Sequence, residues 1–144
     1  MYFRIPLGVR GHKYTEEEIA TTVAVMHGEA PLTQGIHLRE FEERFRLYAD
    51  VEHAFAVSSA TAALEIAAQL CQFETDDEVI IPAHTYTSSA YPFVKAGATP
   101  VWADIDPDTR VVTPETISAC ISSRTRAVVV PHLYGYVVDM TPIM

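Results

Sequence analysis

Lysine is nearly absent from this chain. Of its 10 basic residues only Lys13 and Lys95 are lysines. Neither follows an apolar strand-like run, where a lysine nucleophile would meet a ligand, and both read as solvated. Cysteine is equally scarce. Cys71 and Cys120 each fall on the apolar face of an expected helix, which reads as two buried thiols in a reducing compartment rather than a disulfide. The 6 glycines never cluster, so neither the P-loop nor the dinucleotide fingerprint is present. Positive charge is short: the formal net charge is -9 and the pI about 5.0. A duplex nucleic-acid binder needs a basic face, so that partner is disfavoured and none is expected. No run approaches the roughly 20 apolar residues that span a bilayer, and the N-terminus lacks a signal-peptide core. A cytoplasmic protein with no membrane partner is expected. The 6 histidines stand alone, with no HExxH or paired-cysteine spacing, so no metal site is expected. No G-x-S-x-G elbow supplies a serine nucleophile.

What the chain does contain is a folded composition, 49% apolar and 20% charged over 144 residues, and a change of rhythm near residue 50. Residues 1–14 read as an irregular lead-in. Thr15 and Glu18 then form a capping box, Ile19, Val23 and Met26 give one apolar face, and Gly28 ends the helix. A second helix over about 37–49 should turn Leu38, Phe41, Phe45 and Tyr48 inward, with Glu40–Arg44 and Glu42–Arg46 as supporting ion pairs. Beyond it, strands and helices alternate. Strands are expected at 54–57, 78–81, 99–103 and 127–130, and helices at 60–72, at 86–96 with Pro92 forcing a late start or kink, and after the Thr113–Pro114 cap. The run at 127–130 is continuously apolar, as a parallel strand covered on both faces should be. The last residues read as the start of another helix. The alternation argues an open, mostly parallel sheet with helices on both faces. The chain is read as a single partial domain over 1–144, with a lead-in and two helices to residue 50 and β/α units over 51–144.

Four stretches are candidates for chemistry. Ser59-Ala60-Thr61 joins an apolar run to a helix start. It can serve as a plain helix cap or as an anion cradle, because first-turn amides lack partners within the helix. Pro82 to Thr87 follows a strand, where open α/β sheets place ligands. Tyr86 there can stack on a planar ring or can be an ordinary core tyrosine. Asp104, Asp106, Asp108 and Glu115 imitate a calcium loop, but Thr109 stands where glycine is needed and Pro107 intrudes, so a solvated loop is the better reading. His84 and His132 each follow a strand and could line a cleft or hold structure.

In order and spacing, these segments resemble the DegT/DnrJ/EryC1/StrS family of pyridoxal-phosphate-dependent sugar aminotransferases. The resemblance rests on Thr33–Gly35 with Glu40–Glu42, on Ser58–Leu64, and on Asp77–Pro82 followed by Thr85-Tyr86. It continues through Ala96–Val101 with Asp104–Asp106, then Arg124–Ala127, His132–Gly135 and Asp139-Met140. Each motif is weak alone. Together they run over nearly the whole chain.

The resemblance implies a fold-type I transferase, of which this would be the incomplete N-terminal part of the large domain, without the rest of that domain or the C-terminal small domain. It implies that Ser59, Ala60 and Thr61 hold the phosphate of pyridoxal 5′-phosphate and that Tyr86 stacks on its ring. Thr33–Gly35 would lie near a partner's site in a homodimer. The implied reaction moves an amino group from a donor such as glutamate to a keto sugar, often nucleotide-linked, with the cofactor as electron sink. The family's Schiff-base lysine and pyridine-nitrogen aspartate would come later than Met144, and Asp139 is not that aspartate. No catalytic residue is therefore assigned here, and the chain is expected to be inactive without a complementary C-terminal chain. A non-catalytic remnant that binds a subunit, or part of a related sugar dehydratase, are the alternatives. In the family's sheet the fourth, second and third strands are neighbours, and the first pairs with the last. Ala54–Val57 is therefore expected to lack its ladder partner, leaving exposed sheet edges and a tendency to aggregate.

Overall fold

The computed structural model describes residues 14–31 and 33–144; the lead-in and Lys13 lie outside them. The chain divides between Ala56 and Val57 into two compact units.

The first unit carries two helices, α1 (Glu16–His27) and α2 (Ile36–Ala49). The Thr15 hydroxyl accepts the Glu18 amide at 3.2 Å, and the Glu18 carboxylate accepts the Thr15 amide at 2.6 Å. This is the expected reciprocal cap. Gly35 starts α2 for a steric reason: a Cβ there would sit 2.5 Å from the Pro31 carbonyl oxygen. Neither helix buries a residue, which corrects the expected inward faces. Phe41, Phe45 and Tyr48 are exposed and pack instead on one another, with ring centroids 6.2 and 6.5 Å apart. Arg46 also departs from expectation. It grips Glu43 through two bonds of 2.8 Å, while the Glu42 carboxylate takes the Ala56 amide at 2.9 Å. The three-residue spacing of Glu43 and Arg46 is as close on a helix as the four-residue one, and Glu42 has a backbone donor within reach.

The second unit is a three-stranded, all-parallel sheet ordered β2-β1-β3, with β1 Glu78–Pro82, β2 Thr99–Ala103 and β3 Thr125–Val128. The order reproduces the neighbours expected for the last three strands. Residues 54–57 form no strand, which corrects the one expected there. Strand β1 is buried along its whole length, as a central strand covered on both faces should be. Val79 and Ile81 point to one face, against Ala68, Phe93 and Ala98. Ile80 points to the other, against Ala103, Val111, Val112, Ile117 and Val138. The first face is covered by α3 (Ala60–Leu70) and α4 (Tyr91–Lys95), the second by α5 (Pro114–Ser118) and the segment around Val138. Pro100 is tolerated because β2 is an edge strand.

Three expectations are corrected here. Strand β3 lies two residues earlier than its apolar run suggests, and it alternates between half-buried and exposed positions. As an edge strand it leaves Val128 37% exposed. Cys71 is exposed and Cys120 half-buried, because α3 turns Leu64 and Ala68 inward and ends before Cys71. The residues after Tyr136 form coil and a final turn rather than a helix. Pro92 acts as expected: a 3₁₀ turn at Thr87–Ser89 precedes α4, which starts only at Tyr91. Gly97, with φ of 102°, makes the left-handed exit toward β2.

Candidate functional site

Helix α3 leads through the turn at residues 71–77 into the start of β1. It therefore runs back along the sheet, antiparallel to the strands. Eleven helical residues rise about 16 Å, and the five residues of β1 span about the same distance. The α3 N-terminus thus lies level with the C-terminal edge of the sheet. Pro82 ends β1 at that edge, and Tyr86 follows it. The 3₁₀ turn after Tyr86 contacts α3. The phosphate-turn residues and the aromatic are brought to the same edge of the same sheet.

Ser59 is the N-cap of α3, with an extended backbone (φ -163°, ψ 160°), and its hydroxyl accepts the Ala62 amide at 3.1 Å. The Ala63 amide reaches the Ser59 carbonyl at 3.1 Å. The amides of Ala60 and Thr61 come earlier in the helix than any intrahelical acceptor. Ala60 is exposed and carries only a methyl group, and Thr61 is half-buried. This geometry fits a phosphate: two open amides at the positive end of a helix, and a Ser59 hydroxyl whose own proton remains to be donated.

Tyr86 is 71% exposed, which excludes the ordinary core tyrosine. Beside it, the Thr85 hydroxyl donates to the Ser89 hydroxyl at 2.9 Å. His84 sits 3.5 Å from the Arg110 carbonyl oxygen through Nδ1, and its ring centroid lies 6.4 Å from that of Tyr134. Tyr134 has φ of 55°, a left-handed conformation uncommon outside glycine. His132 holds structure: its Nδ1 accepts the Val138 amide at 3.1 Å. Asp106 accepts the Asp108 and Thr109 amides and the Thr109 hydroxyl, bonds that hold its carboxyl below the usual range, the Thr109 amide foremost. The acidic loop is thus a hydrogen-bonded turn.

Lys95 lies on the helical face of the sheet, against the middle of α3. It closes α4 just before the chain enters β2, and its Nζ donates to Glu65 at 3.1 Å while lying 5.8 Å from the Tyr91 ring centroid. The Glu65 hydrogen bond raises its pKa. Rather than being simply solvated, it is an ion-paired surface lysine.

Sequence reasoning missed the Thr85–Ser89 bond and the His84–Tyr134 contact. Two hydroxyl residues four apart were a signal for the first. The second depends on the loops after β1 and β3 meeting, and no local pattern carries it.

An open α/β sheet with a helix N-terminus and an exposed aromatic at its C-terminal edge defines a domain suited to a planar ligand bearing a phosphate. The chain belongs to the DegT/DnrJ/EryC1/StrS aminotransferase family, whose model matches residues 12–144. It is 44% identical over 103 residues to L-glutamine:2-deoxy-scyllo-inosose aminotransferase of Streptomyces kanamyceticus, covering 72% of this chain and 24% of that one. It is 41% identical over 110 residues to GDP-perosamine synthase of Caulobacter vibrioides, covering 76% and 30%. Among solved structures, a sugar aminotransferase of Streptococcus pneumoniae in its PMP form superposes with a TM-score of 0.83 at 34% identity, over 91% of this chain and 33% of that one. A PLP form of the same protein gives 0.82. The chain therefore spans about a quarter to a third of the relatives it matches. The fold is that of the N-terminal part of a fold-type I pyridoxal-phosphate-dependent transferase.

Proposed function

We propose that this chain is the cofactor-binding N-terminal part of a pyridoxal-phosphate-dependent sugar aminotransferase. In this reading the Ala60 and Thr61 amides and the Thr61 hydroxyl hold the cofactor phosphate. Ser59 shapes the first turn of α3 and adds its hydroxyl proton. The Tyr86 ring covers one face of the pyridine ring. The substrate class is a keto sugar or a related cyclic ketone, and the amino donor is an amino acid such as glutamate or glutamine. The bound cofactor supplies the electron sink that amino-group transfer requires.

The residues of this chain bind and orient. The helix N-terminus favours the phosphate dianion by about 0.3–1 kcal/mol beyond its individual hydrogen bonds, and the aromatic face fixes the plane of the ring. No side chain here is assigned a proton-transfer step. Lys95 is not assigned that role: it closes α4 rather than following a strand, and its Nζ is held by Glu65. Catalysis accordingly needs the later part of the family's polypeptide, supplied in the same chain or by a partner in a dimer.

The observation that carries this reading is the convergence of the open α3 amides and the exposed Tyr86 ring on one sheet edge. It is tested by titrating the protein with pyridoxal 5′-phosphate and following amide chemical shifts. Saturable shifts at Ala60 and Thr61 that inorganic phosphate reproduces only weakly are expected. Absence of any saturable shift in this segment overturns the reading.

A further inference from the structure

An aromatic that covers a ligand face must be held in place before the ligand arrives, or its ordering entropy is lost from the binding free energy. Tyr86 is 71% exposed, so packing of its ring supplies little of that order. Its backbone is another matter. The Ser89 amide donates to the Tyr86 carbonyl at 2.9 Å, and the Ala90 amide to the Thr87 carbonyl at 3.0 Å. The Thr85 hydroxyl donates to the Ser89 hydroxyl at 2.9 Å. Ser89 is itself only 8% exposed. One nearly buried residue thus holds the chain on both sides of Tyr86, by its hydroxyl before the tyrosine and by its amide after it. The 3₁₀ turn that contains Ser89 also contacts α3, the helix whose first turn forms the phosphate cradle. The bracket therefore ties the aromatic to the same rigid element as the anion site.

We propose that Ser89 is the positioning residue for Tyr86, fixing the tyrosine at the height and angle at which it meets a ring whose phosphate sits on α3. The inference rests on the cofactor reading above for its purpose, and on the Thr85–Ser89–Tyr86 bonds for its geometry. In this reading Ser89 is not a ligand contact. It acts through the loop, and a hydroxyl at Thr85 is the other half of the device.

The test compares wild type with Ser89→Ala, Thr85→Val and Thr85→Ser in the 144-residue protein. Without ligand, exchange of the Ser89 amide proton and the backbone order parameter of Tyr86 are measured by NMR. Loss of one hydrogen bond in Ser89→Ala or Thr85→Val should speed exchange about tenfold and lower the Tyr86 order parameter. Thr85→Ser, which keeps the hydroxyl, should match wild type. With pyridoxal 5′-phosphate, the two disrupting variants should keep the Ala60 and Thr61 amide shifts while the Tyr86 ring shift shrinks and affinity falls about five- to tenfold. A Tyr86 order parameter and affinity within twofold of wild type in both disrupting variants overturn the proposal. If wild type shows no ligand shift at all, the cofactor reading has failed. The ligand-free comparison then still decides: an unchanged Tyr86 order parameter removes the positioning role as well. Ser89→Ala alone could perturb the core around a nearly buried site, and Thr85→Val guards against that by removing the same bond from the half-buried partner.

Discussion

Arg124 and Glu78 clamp the start of the central strand to its neighbour. The guanidinium donates through Nε at 2.8 Å and through Nη2 to the same Glu78 carboxylate oxygen, and the Ser122 hydroxyl takes the other oxygen. The backbone repeats the contact, since the Glu78 amide donates to the Arg124 carbonyl at 2.9 Å. One residue on, the β1–β3 register slips, so that Glu78 faces Thr125 while Val79 faces Ala127. The extra residue, Arg126, reaches back to Asp77 at 3.1 Å. The slip places two arginines against two adjacent carboxylates.

Removing Arg124 leaves the Glu78 carboxylate, 7% exposed, with a single hydroxyl partner. Arg124→Ala is expected to lower the thermal midpoint by several degrees, and Arg126→Ala by less, since Asp77 also accepts the Glu74 amide at 2.8 Å. Differential scanning calorimetry ranks the two; equal midpoints would refute the clamp.

The same groups set an acid limit. Hydrogen bonds from Ser122 and then Arg124 hold the Glu78 carboxyl below its ordinary value of 4.5. The Glu74 amide does the same for Asp77, whose ordinary value is 3.8. A depressed carboxyl binds fewer protons folded than unfolded. Its contribution is complete above the unfolded value and is lost as pH falls through the folded one. The urea midpoint should therefore hold steady above about pH 5 and fall as pH drops below about 4.5, and Glu78→Gln should flatten part of that fall. A midpoint that is level down to pH 3 sinks the assignment.

Gly35→Ala is expected to disturb the start of α2, because its Cβ would meet the Pro31 oxygen at 2.5 Å. The cost is about 1–3 kcal/mol. Gly28→Ala, whose Cβ would lie 3.4 Å from its nearest neighbour, should be tolerated. Amide exchange along α2 distinguishes them; matching protection in the two variants counts against the close approach.

Two caps separate stability from binding. Ser59→Ala and Thr113→Ala each remove a hydroxyl that caps a helix, at 3.1 and 3.4 Å, and each should cost about 1 kcal/mol in urea unfolding. Only Ser59→Ala should also weaken pyridoxal 5′-phosphate binding. Equal ligand affinity in both variants would remove Ser59 from the cradle.

Tyr86→Ala should leave stability within about 0.5 kcal/mol of wild type, since the ring is exposed. Ligand affinity should drop, while Tyr86→Phe retains it. Fluorescence titration reads the difference, and affinity unaffected in Tyr86→Ala would argue against ring stacking.

Much of this architecture is local and was legible. The Thr15–Glu18 box, the Thr113–Pro114 start, the late helix imposed by Pro92 and the apolar strand at Glu78–Pro82 each follow from backbone rules that act over a few residues. Of the candidate site, the Ser59 cap was legible for the same reason. The face expected on α2 was not realised because periodicity says which side of a helix is apolar, not whether anything covers it. Glu42 chose the Ala56 amide over Arg46 because a loop distant in sequence came within reach.

The sequence by itself determined the β/α alternation, the helix starts and the family. These depend on side-chain chemistry at fixed short spacings. Only the tertiary structure decided that α3 and the Tyr86 loop share one sheet edge, that Lys95 pairs with Glu65, and that Arg124 and Arg126 meet Glu78 and Asp77. The three side-chain pairings join residues 30 or more positions apart. They exist because parallel strands must be connected by crossovers, which return the chain to the same edge each time.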